Sequence, residues 1–276
     1  MRTRVAQLGS AASTLEPMGV ESFRAVGEAA DDILMGAIAE RWRIMLQENA
    51  AVAGGVGFSP ASDAAALRRL IRSRNTGNVP ADTITRMWRA LSGDMMVARG
   101  LKAVHVSGGD VGVLLQGARG YFGFGANIQI ATEIREALEK ADQTPGVLAC
   151  VPWPEHAGAG QWWPILNENR FRNLVIVAGW PSMPGSPAAT PRVAIVGRMP
   201  VEPSGEDDML ATCHDDRHQT EQVLAALGLK AEVAARARSL TLIRIGEFVS
   251  PDDRRLELAR KAGLDGLRIV GVRPRP

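Results

Sequence analysis

The chain has 276 residues, with 32 lysines and arginines against 30 aspartates and glutamates, for a formal net charge of +2. No basic run with interleaved aromatic residues occurs, so this balance argues against a nucleic-acid partner. No stretch approaches the ~20 apolar residues of a transmembrane helix, and the first residues lack the apolar run of a signal peptide. We therefore expect a cytoplasmic protein without a membrane partner, and the length favours two domains.

The first hundred residues have helical periodicity. From Phe23 onward, apolar residues recur close to a 3.6-residue period, which predicts a helix of about 30 residues ending near Gly54. Such a helix is ~45 Å long and cannot bury its apolar stripe within a small domain unless something else lies along it. A short helix is predicted from Ser62 or Asp63, and a third helix from Ala81 or Asp82 to Gly100.

After Gly100 the pattern changes to β-rich runs that alternate with helical ones. The predicted strands are residues 103–106, 128–131, 146–153, 174–179, 193–197, 240–248 and 267–272, and the predicted helices are 132–141, 220–227 and 252–262. The glycines at positions 117, 120, 123 and 125 are interpreted as turn residues, and residues 202–208 as an acidic loop. The expected fold class is α+β, with an all-helical domain (1–101) followed by a small α/β domain (102–276).

Several short segments of the first part match a known pattern in order. Residues 23–41 read FRAVGEAADDILMGAIAER, followed by LRRLI at 67–71 and by a Pro-Ala pair that leads into ITRMWRAL at 84–91. This set resembles the helical class of chorismate mutases over roughly residues 20–101. The resemblance implies an intertwined homodimer built through the first helix, and isomerisation of chorismate to prephenate in aromatic amino-acid biosynthesis.

The resemblance also implies how the substrate is held. That reaction is an intramolecular rearrangement that needs neither a nucleophile nor a metal nor another cofactor; it needs cations that hold a dianion in a compact pose. Arg24 and Arg41 match the two family arginines that bind carboxylates. Seventeen residues separate them, or ~25 Å of helix, so one chain cannot aim both at one small anionic ligand. In the resembled family, each chain lends its early arginine to its partner's site.

Other positions of the family's site have changed. The lysine that binds the ether oxygen falls on Val52, the arginine before the second helix on Ser62, and the acidic residue after it on Asp63. The glutamine of the third helix falls on Arg99, which could supply a replacement cation or could complement the helix C-terminus. Two alternatives therefore stay open: a non-catalytic binding or regulatory protein on this scaffold, and different chemistry on a chorismate-like substrate, such as pyruvate elimination.

The second part resembles a reduced prephenate dehydratase domain, on the segment GVLACVPWPE at 146–155 and, more faintly, on LQGARGYF at 115–122. That family's Thr-Arg-Phe signature is not intact, so no dehydratase activity is expected. His214 and His218 have the spacing of a metal pair, but they are interpreted as part of a solvated turn. Trp162 and Trp163 are expected in the core of the domain.

Overall fold

The computed structural model describes residues 20–49, 57–73, 79–155, 161–181 and 191–275. Three helices come first: α1 (Val20–Asn49), α2 (Pro60–Ser73) and α3 (Ala81–Ala98). The pattern of a long, a short and a long helix agrees with the periodicity of the sequence. Within these described ranges, no helix is both long and apolar enough to cross a membrane.

The rest of the chain builds one nine-stranded sheet. Its first part runs β1 (Ala103–Val106), α4 (Val111–Phe122), β2 (Ile128–Ile130), α5 (Ile134–Gln143), β3 (Val147–Pro152), two short 3₁₀ helices, β4 (Val175–Trp180) and β5 (Val193–Gly197). Its second part runs β6 (Asp207–His214), α6 (Thr220–Ala226), β7 (Ala231–Ala237), β8 (Leu240–Ile245), α7 (Arg254–Lys261) and β9 (Asp265–Pro274). The mixed α and β architecture is as expected.

The order of the strands is β2-β1-β3-β5-β4-β9-β6-β8-β7. Strands β2, β1 and β3 are parallel, whereas β5 is antiparallel to both of its neighbours. Elements β6 to β9 form a βαββαβ unit, whose antiparallel strand order β9-β6-β8-β7 is the split βαβ arrangement. Strand β9 joins this unit to the first part through its parallel pairing with β4.

Alternate side chains of the strands face two different cores. On one face, α5 and the 3₁₀ helices cover residues such as Val151, Ala194 and Leu210. On the other face, α4 covers the first half of the sheet, and α6 and α7 cover the second half. Met96 of α3 is buried in the α4 core, so the helical segment and the sheet share packed side chains.

The helical segment is also bound to the end of the chain. Arg68 of α2 is 7% exposed and donates hydrogen bonds to the backbone carbonyls of Ser204 (2.8 Å) and Arg275 (3.0 Å). On the next helical turn, Arg72 forms an ion pair with Glu206. Helix α2 therefore lies against the segment that leads into β6 and against the last residues of β9.

Two expectations about local structure were wrong. Gly117 and Gly120 lie inside α4 and not in turns. Glycine occupies these helical positions because α4 crosses the sheet so closely there that a Cβ at residue 117 would come within 2.7 Å of Val193. Asp207 and Asp208 begin β6 and are buried, whereas the sequence suggested an acidic loop. Strands β6 and β7 had not been predicted, since their alternation of apolar residues is interrupted by acidic residues or by alanines.

Candidate functional site

Asp63 of α2 is the centre of a buried polar cluster. Its Oδ1 accepts hydrogen bonds from the indole Nε1 of Trp88 (2.9 Å) and from the hydroxyl of Ser92 (2.6 Å). Its Oδ2 is paired with the guanidinium of Arg89. Trp88, Arg89 and Ser92 reach it together because positions 88 and 92 are one helical turn apart on α3, and position 89 borders the same face.

Aromatic rings surround the ion pair. The guanidinium carbon of Arg89 lies 4.7 Å from the ring centroid of Tyr121 and 5.8 Å from that of Trp180. Burial opposes the charge of Arg89, but Asp63 outweighs burial and leaves the pKa of Arg89 above its usual value. Burial also raises the pKa of Tyr121, so its hydroxyl stays protonated at physiological pH. The cluster is therefore a charged pair enclosed by protein.

Arg41 lies on the other side of Trp88. This half-buried residue of α1 places its guanidinium carbon 5.4 Å from the centroid of the Trp88 ring, within the range of a cation–π contact. Trp88 thus touches two of the predicted site residues, Arg41 through its ring face and Asp63 through its N–H. The structure brings these two residues to one indole.

The other predicted residues are placed separately. Arg24 is exposed near the start of α1 and forms an ion pair with Glu28 (3.1 Å). Arg99 follows the last residue of α3 and donates a 2.8 Å hydrogen bond to the carbonyl of Gly57. Ser62 is exposed in the first turn of α2, where its backbone N–H donates to the hydroxyl of Ser59 (3.1 Å). Val52 lies outside the described residues.

Helix α1 exposes much of its apolar side. The exposed fractions are 51% for Val26, 44% for Ile33, 45% for Leu34 and 61% for Met35. α1 packs against α3, and Met45 is buried near its C-terminal end. The N-terminal two thirds of a helix that carries regularly spaced apolar residues is thus open to solvent, which is unusual for a helix of a monomeric protein.

The sequence alone does not assign Trp88 or Arg89 to the candidate site. The signal that could have identified them is the Trp-Arg pair in the middle of α3, four and three residues before Ser92. Long polar side chains on the apolar face of a helix need buried partners. An arginine beside a tryptophan at such positions therefore predicts a carboxylate on a neighbouring helix, and Asp63 supplies it.

A separate cleft of about 660 Å³ lies on the βαββαβ unit. Its charged lining residues are Asp208, Glu221, Lys230, Glu232 and Arg244. Arg244 is paired with Glu232 and lies 3.6 Å from Glu155, which follows β3. Asp208 lies 3.7 Å from Arg273. The cleft therefore holds charges of both signs, most of which already have partners within the protein.

The remaining candidates lie in structural surroundings. His214 ends β6 with its Nδ1 3.3 Å from the hydroxyl of Ser239, and His218 lies in the following turn. Among the residues that the structure describes, no group of three histidines, cysteines or acidic residues could hold a metal ion. Trp162 and Trp163 are 3% and 0% exposed, which confirms their expected place in the core.

Comparison with known proteins gives matches to solved structures. No family of known proteins matches the sequence, and no curated protein does. A quorum-quenching acylase named GqqA is 15% identical, with a TM-score of 0.42 over 63% of this chain and 95% of that protein. Prephenate dehydratase from Streptococcus mutans is 14% identical, with a TM-score of 0.40 over 63% of this chain and 100% of that one. Prephenate dehydratase from Arthrobacter aurescens, solved with L-Phe, is 14% identical, with a TM-score of 0.41 over 63% and 90%.

Two of these three proteins are prephenate dehydratases. The resemblance of residues 20–101 to the helical chorismate mutases stays a prediction that rests on the segments quoted above.

Proposed function

We propose that the protein is a chorismate mutase-type isomerase of aromatic amino-acid biosynthesis, acting in the cytoplasm as a homodimer joined through α1. Residues 1–101 form its catalytic domain and residues 102–276 an accessory α/β domain. The observation that carries the proposal is the position of Arg41, a half-buried cation that lies over the Trp88 ring and that matches, in sequence, the family arginine that binds a substrate carboxylate.

The exposed apolar side of α1 supports the dimer. If a second copy of α1 lies along it, the side chains of Val26, Ile33 and Leu34 are removed from water, at roughly 25 cal/mol per Å² of apolar surface. The same arrangement brings Arg24 of one protomer near Arg41 of its partner, which a single straight helix cannot do. Dimerisation through α1 thus accounts both for the exposed apolar surface of this helix and for the distance between Arg24 and Arg41 within one chain.

The rearrangement requires few other contacts from the protein. Arginine forks bind carboxylates in a bidentate fashion, and the two arginines would hold the two carboxylates of chorismate in the folded conformation from which the rearrangement occurs. Arg99 is proposed to lie near the breaking ether oxygen, where negative charge develops. Its hydrogen bond to Gly57 orients the side chain at the end of α3. No bound cofactor takes part.

A second candidate is a binding or regulatory protein that takes a chorismate-like dianion without converting it. The observation that favours it is Ser62, an exposed hydroxyl residue at the position where the family has a further arginine. Val52 likewise replaces a lysine. Binding by two arginines without enough charge at the ether oxygen would hold the ligand and leave its barrier unchanged.

The deciding experiment follows chorismate by its ultraviolet absorbance and identifies the product. Prephenate formed well above the spontaneous rate, with Arg41→Ala reducing the rate at least about 100-fold, supports the isomerase. Arg43→Ala is the matched control, because Arg43 lies two residues away, is exposed, and is paired with Glu40 and Gln47. Saturable binding without turnover supports the second candidate, and pyruvate release indicates elimination chemistry.

A mixing experiment tests whether the site is shared between protomers. Arg24→Ala and Arg41→Ala homodimers are each expected to be inactive. After subunit exchange, half of the dimers are mixed, and each mixed dimer has one intact site, so about a quarter of the wild-type activity returns. If each site were instead built from a single protomer, every site in a mixed dimer would still lack one arginine, and mixing would restore no activity.

A further inference from the structure

We infer that Asp63 and Trp88 are positioning residues, which hold the Arg41 guanidinium in a fixed orientation by locking the indole beneath it. The inference rests on the proposed function for the ligand that Arg41 binds, but the contacts that carry it are independent of that ligand. Asp63 thereby receives a different role from the substrate contact that the family pattern implies.

The surroundings of Asp63 leave it poorly placed to touch a ligand. It is 8% exposed, and its two oxygens are bound by Trp88, Ser92 and Arg89. The cavity beside Asp63 and Arg89 measures about 10 Å³, which is the room of a single water molecule. A dianion of the size of chorismate does not fit there.

The contacts of the indole lead instead to Arg41. Packing sets the rotamer of a buried tryptophan, and a charge-assisted hydrogen bond from Nε1 to a carboxylate adds a directional restraint on its ring. The 2.9 Å bond from Nε1 to Asp63 therefore fixes the plane of the ring. Since the Arg41 guanidinium lies over that ring at 5.4 Å, its own orientation is fixed in turn. Arg89, which is paired with the other oxygen of Asp63, holds the carboxylate that begins this chain of contacts.

Preorganisation of this kind has a measurable consequence. An arginine side chain that is already immobilised loses less conformational freedom when it binds a carboxylate, so the gain appears as ligand affinity. Loosening the indole should weaken binding through Arg41, and should have no effect on binding when Arg41 is absent. A purely structural role for Trp88 would not give that dependence.

Two substitutions separate positioning from general stability. Trp88→Phe keeps an aromatic ring beneath Arg41 and removes the indole N–H that donates a hydrogen bond to Asp63 Oδ1. Ser92→Ala removes the other donor to the same oxygen and leaves the indole bound, so it is the matched control. Each variant is made in the full chain, alone and together with Arg41→Ala, and prephenate binding is measured by calorimetry alongside chorismate turnover.

The expected result is that Trp88→Phe weakens prephenate binding about tenfold in the wild-type background and less than about twofold with Arg41→Ala. Ser92→Ala should change affinity less than about twofold in both backgrounds. Equal losses from Trp88→Phe with and without Arg41, or a loss from Ser92→Ala as large as that from Trp88→Phe, would overturn the inference.

A spectroscopic readout needs no ligand, and so it distinguishes failure of this inference from failure of the proposed function. The Arg41 Nε–H resonance, assigned with Arg41→Lys, should carry an upfield ring-current shift from Trp88 in the free protein. Trp88→Phe should reduce that shift and broaden the line, while Ser92→Ala should leave it in place. An Arg41 resonance without a ring-current shift in the wild-type protein would sink the inference, whether or not chorismate is converted.

Discussion

The guanidinium of Arg68 on α2 donates a 3.0 Å hydrogen bond to the carbonyl of Arg275, the residue after β9 and 207 positions further along the chain. The same side chain donates to the carbonyl and the hydroxyl of Ser204. Asp63 lies five residues earlier on α2, and its carboxylate binds the side chains of Trp88, Arg89 and Ser92 on α3. One short helix therefore connects the buried polar cluster to the last strand of the sheet.

The first prediction concerns that connection. Arg68→Met keeps most of the side-chain volume but leaves buried acceptors without donors, which we expect to lower the free energy of unfolding by about 2–4 kcal/mol. Arg69→Met is the control, because Arg69 is exposed on the same helix, and it should change stability by less than about 0.5 kcal/mol. Urea unfolding followed by circular dichroism and by tryptophan fluorescence gives both values, and equal losses in the two variants would contradict the prediction.

The second prediction concerns the close approach of α4 to the sheet. Alanine is normally better than glycine inside a helix by about 1 kcal/mol. At position 120, however, a Cβ would overlap the indole nitrogen of Trp180, and at position 117 it would come within 2.7 Å of Val193. We therefore expect Gly117→Ala and Gly120→Ala each to destabilise the protein by about 1–3 kcal/mol.

Gly246→Ala is the control for these two substitutions, because no atom other than those of its own residue and its chain neighbours lies within 4 Å of its added Cβ. Its unfolding midpoint in urea should match that of the wild-type protein. A gain in stability from Gly120→Ala would contradict the close contact between α4 and Trp180 of β4.

These glycines also show how far the sequence determines the expected fold. Periodicity alone located the three N-terminal helices and seven of the strands, since their apolar residues recur at spacings that local geometry imposes. It missed α4, because the reason for glycine at 117 and 120 is a contact with strands β5 and β4, far along the chain. The cluster around Asp63 cannot be predicted from periodicity for the same reason. Its donors come from a different helix, and a tertiary contact produces no periodic pattern in the local sequence.

The third prediction concerns alkaline pH. Burial raises the pKa of the Cys150 thiol to about 12, and burial also raises the pKa of Tyr121. The unfolded chain releases the thiol proton near pH ~8.5 and the folded protein does not, so stability falls as the pH rises above that value. By pH ~10 the loss from Cys150 amounts to about 2 kcal/mol. Below pH ~8 neither group changes stability.

The measurement compares urea midpoints at neutral and alkaline pH under reducing conditions. Cys150→Ala should lose about 2 kcal/mol less than the wild-type protein over this range, because its unfolded state has one proton fewer to release. The same alkaline loss in both proteins would show that Cys150 does not contribute.

The fourth prediction tests the surface of α1. Leu34→Asp places a charge on the exposed apolar side, and we expect it to convert the proposed dimer into a monomer, because a charge buried without a partner in the interface costs several kcal/mol. Ala25→Asp introduces the same charge at an exposed position on the side of α1 opposite Leu34, and it should leave the proposed dimer intact. Sedimentation velocity over a range of concentrations distinguishes the two, and a wild-type protein that sediments as a monomer would remove the basis for a shared site.

The fifth prediction restores charge to the proposed active site. Val52→Lys and Ser62→Arg return the two cations that the helical chorismate mutases carry and this chain lacks. If substrate is held by Arg24 and Arg41, Val52→Lys should stabilise the ether oxygen as its bond breaks and Ser62→Arg should add positive charge for the dianion. The double variant should raise kcat/KM for chorismate about 10- to 100-fold, or about 1.4–2.8 kcal/mol. Ser73→Arg, on the last turn of α2, adds the same charge without approaching the proposed site and should have no effect. A rise in kcat with little change in KM would place the new charges at the ether oxygen, whereas tighter prephenate binding without faster turnover would favour a binding protein on this scaffold.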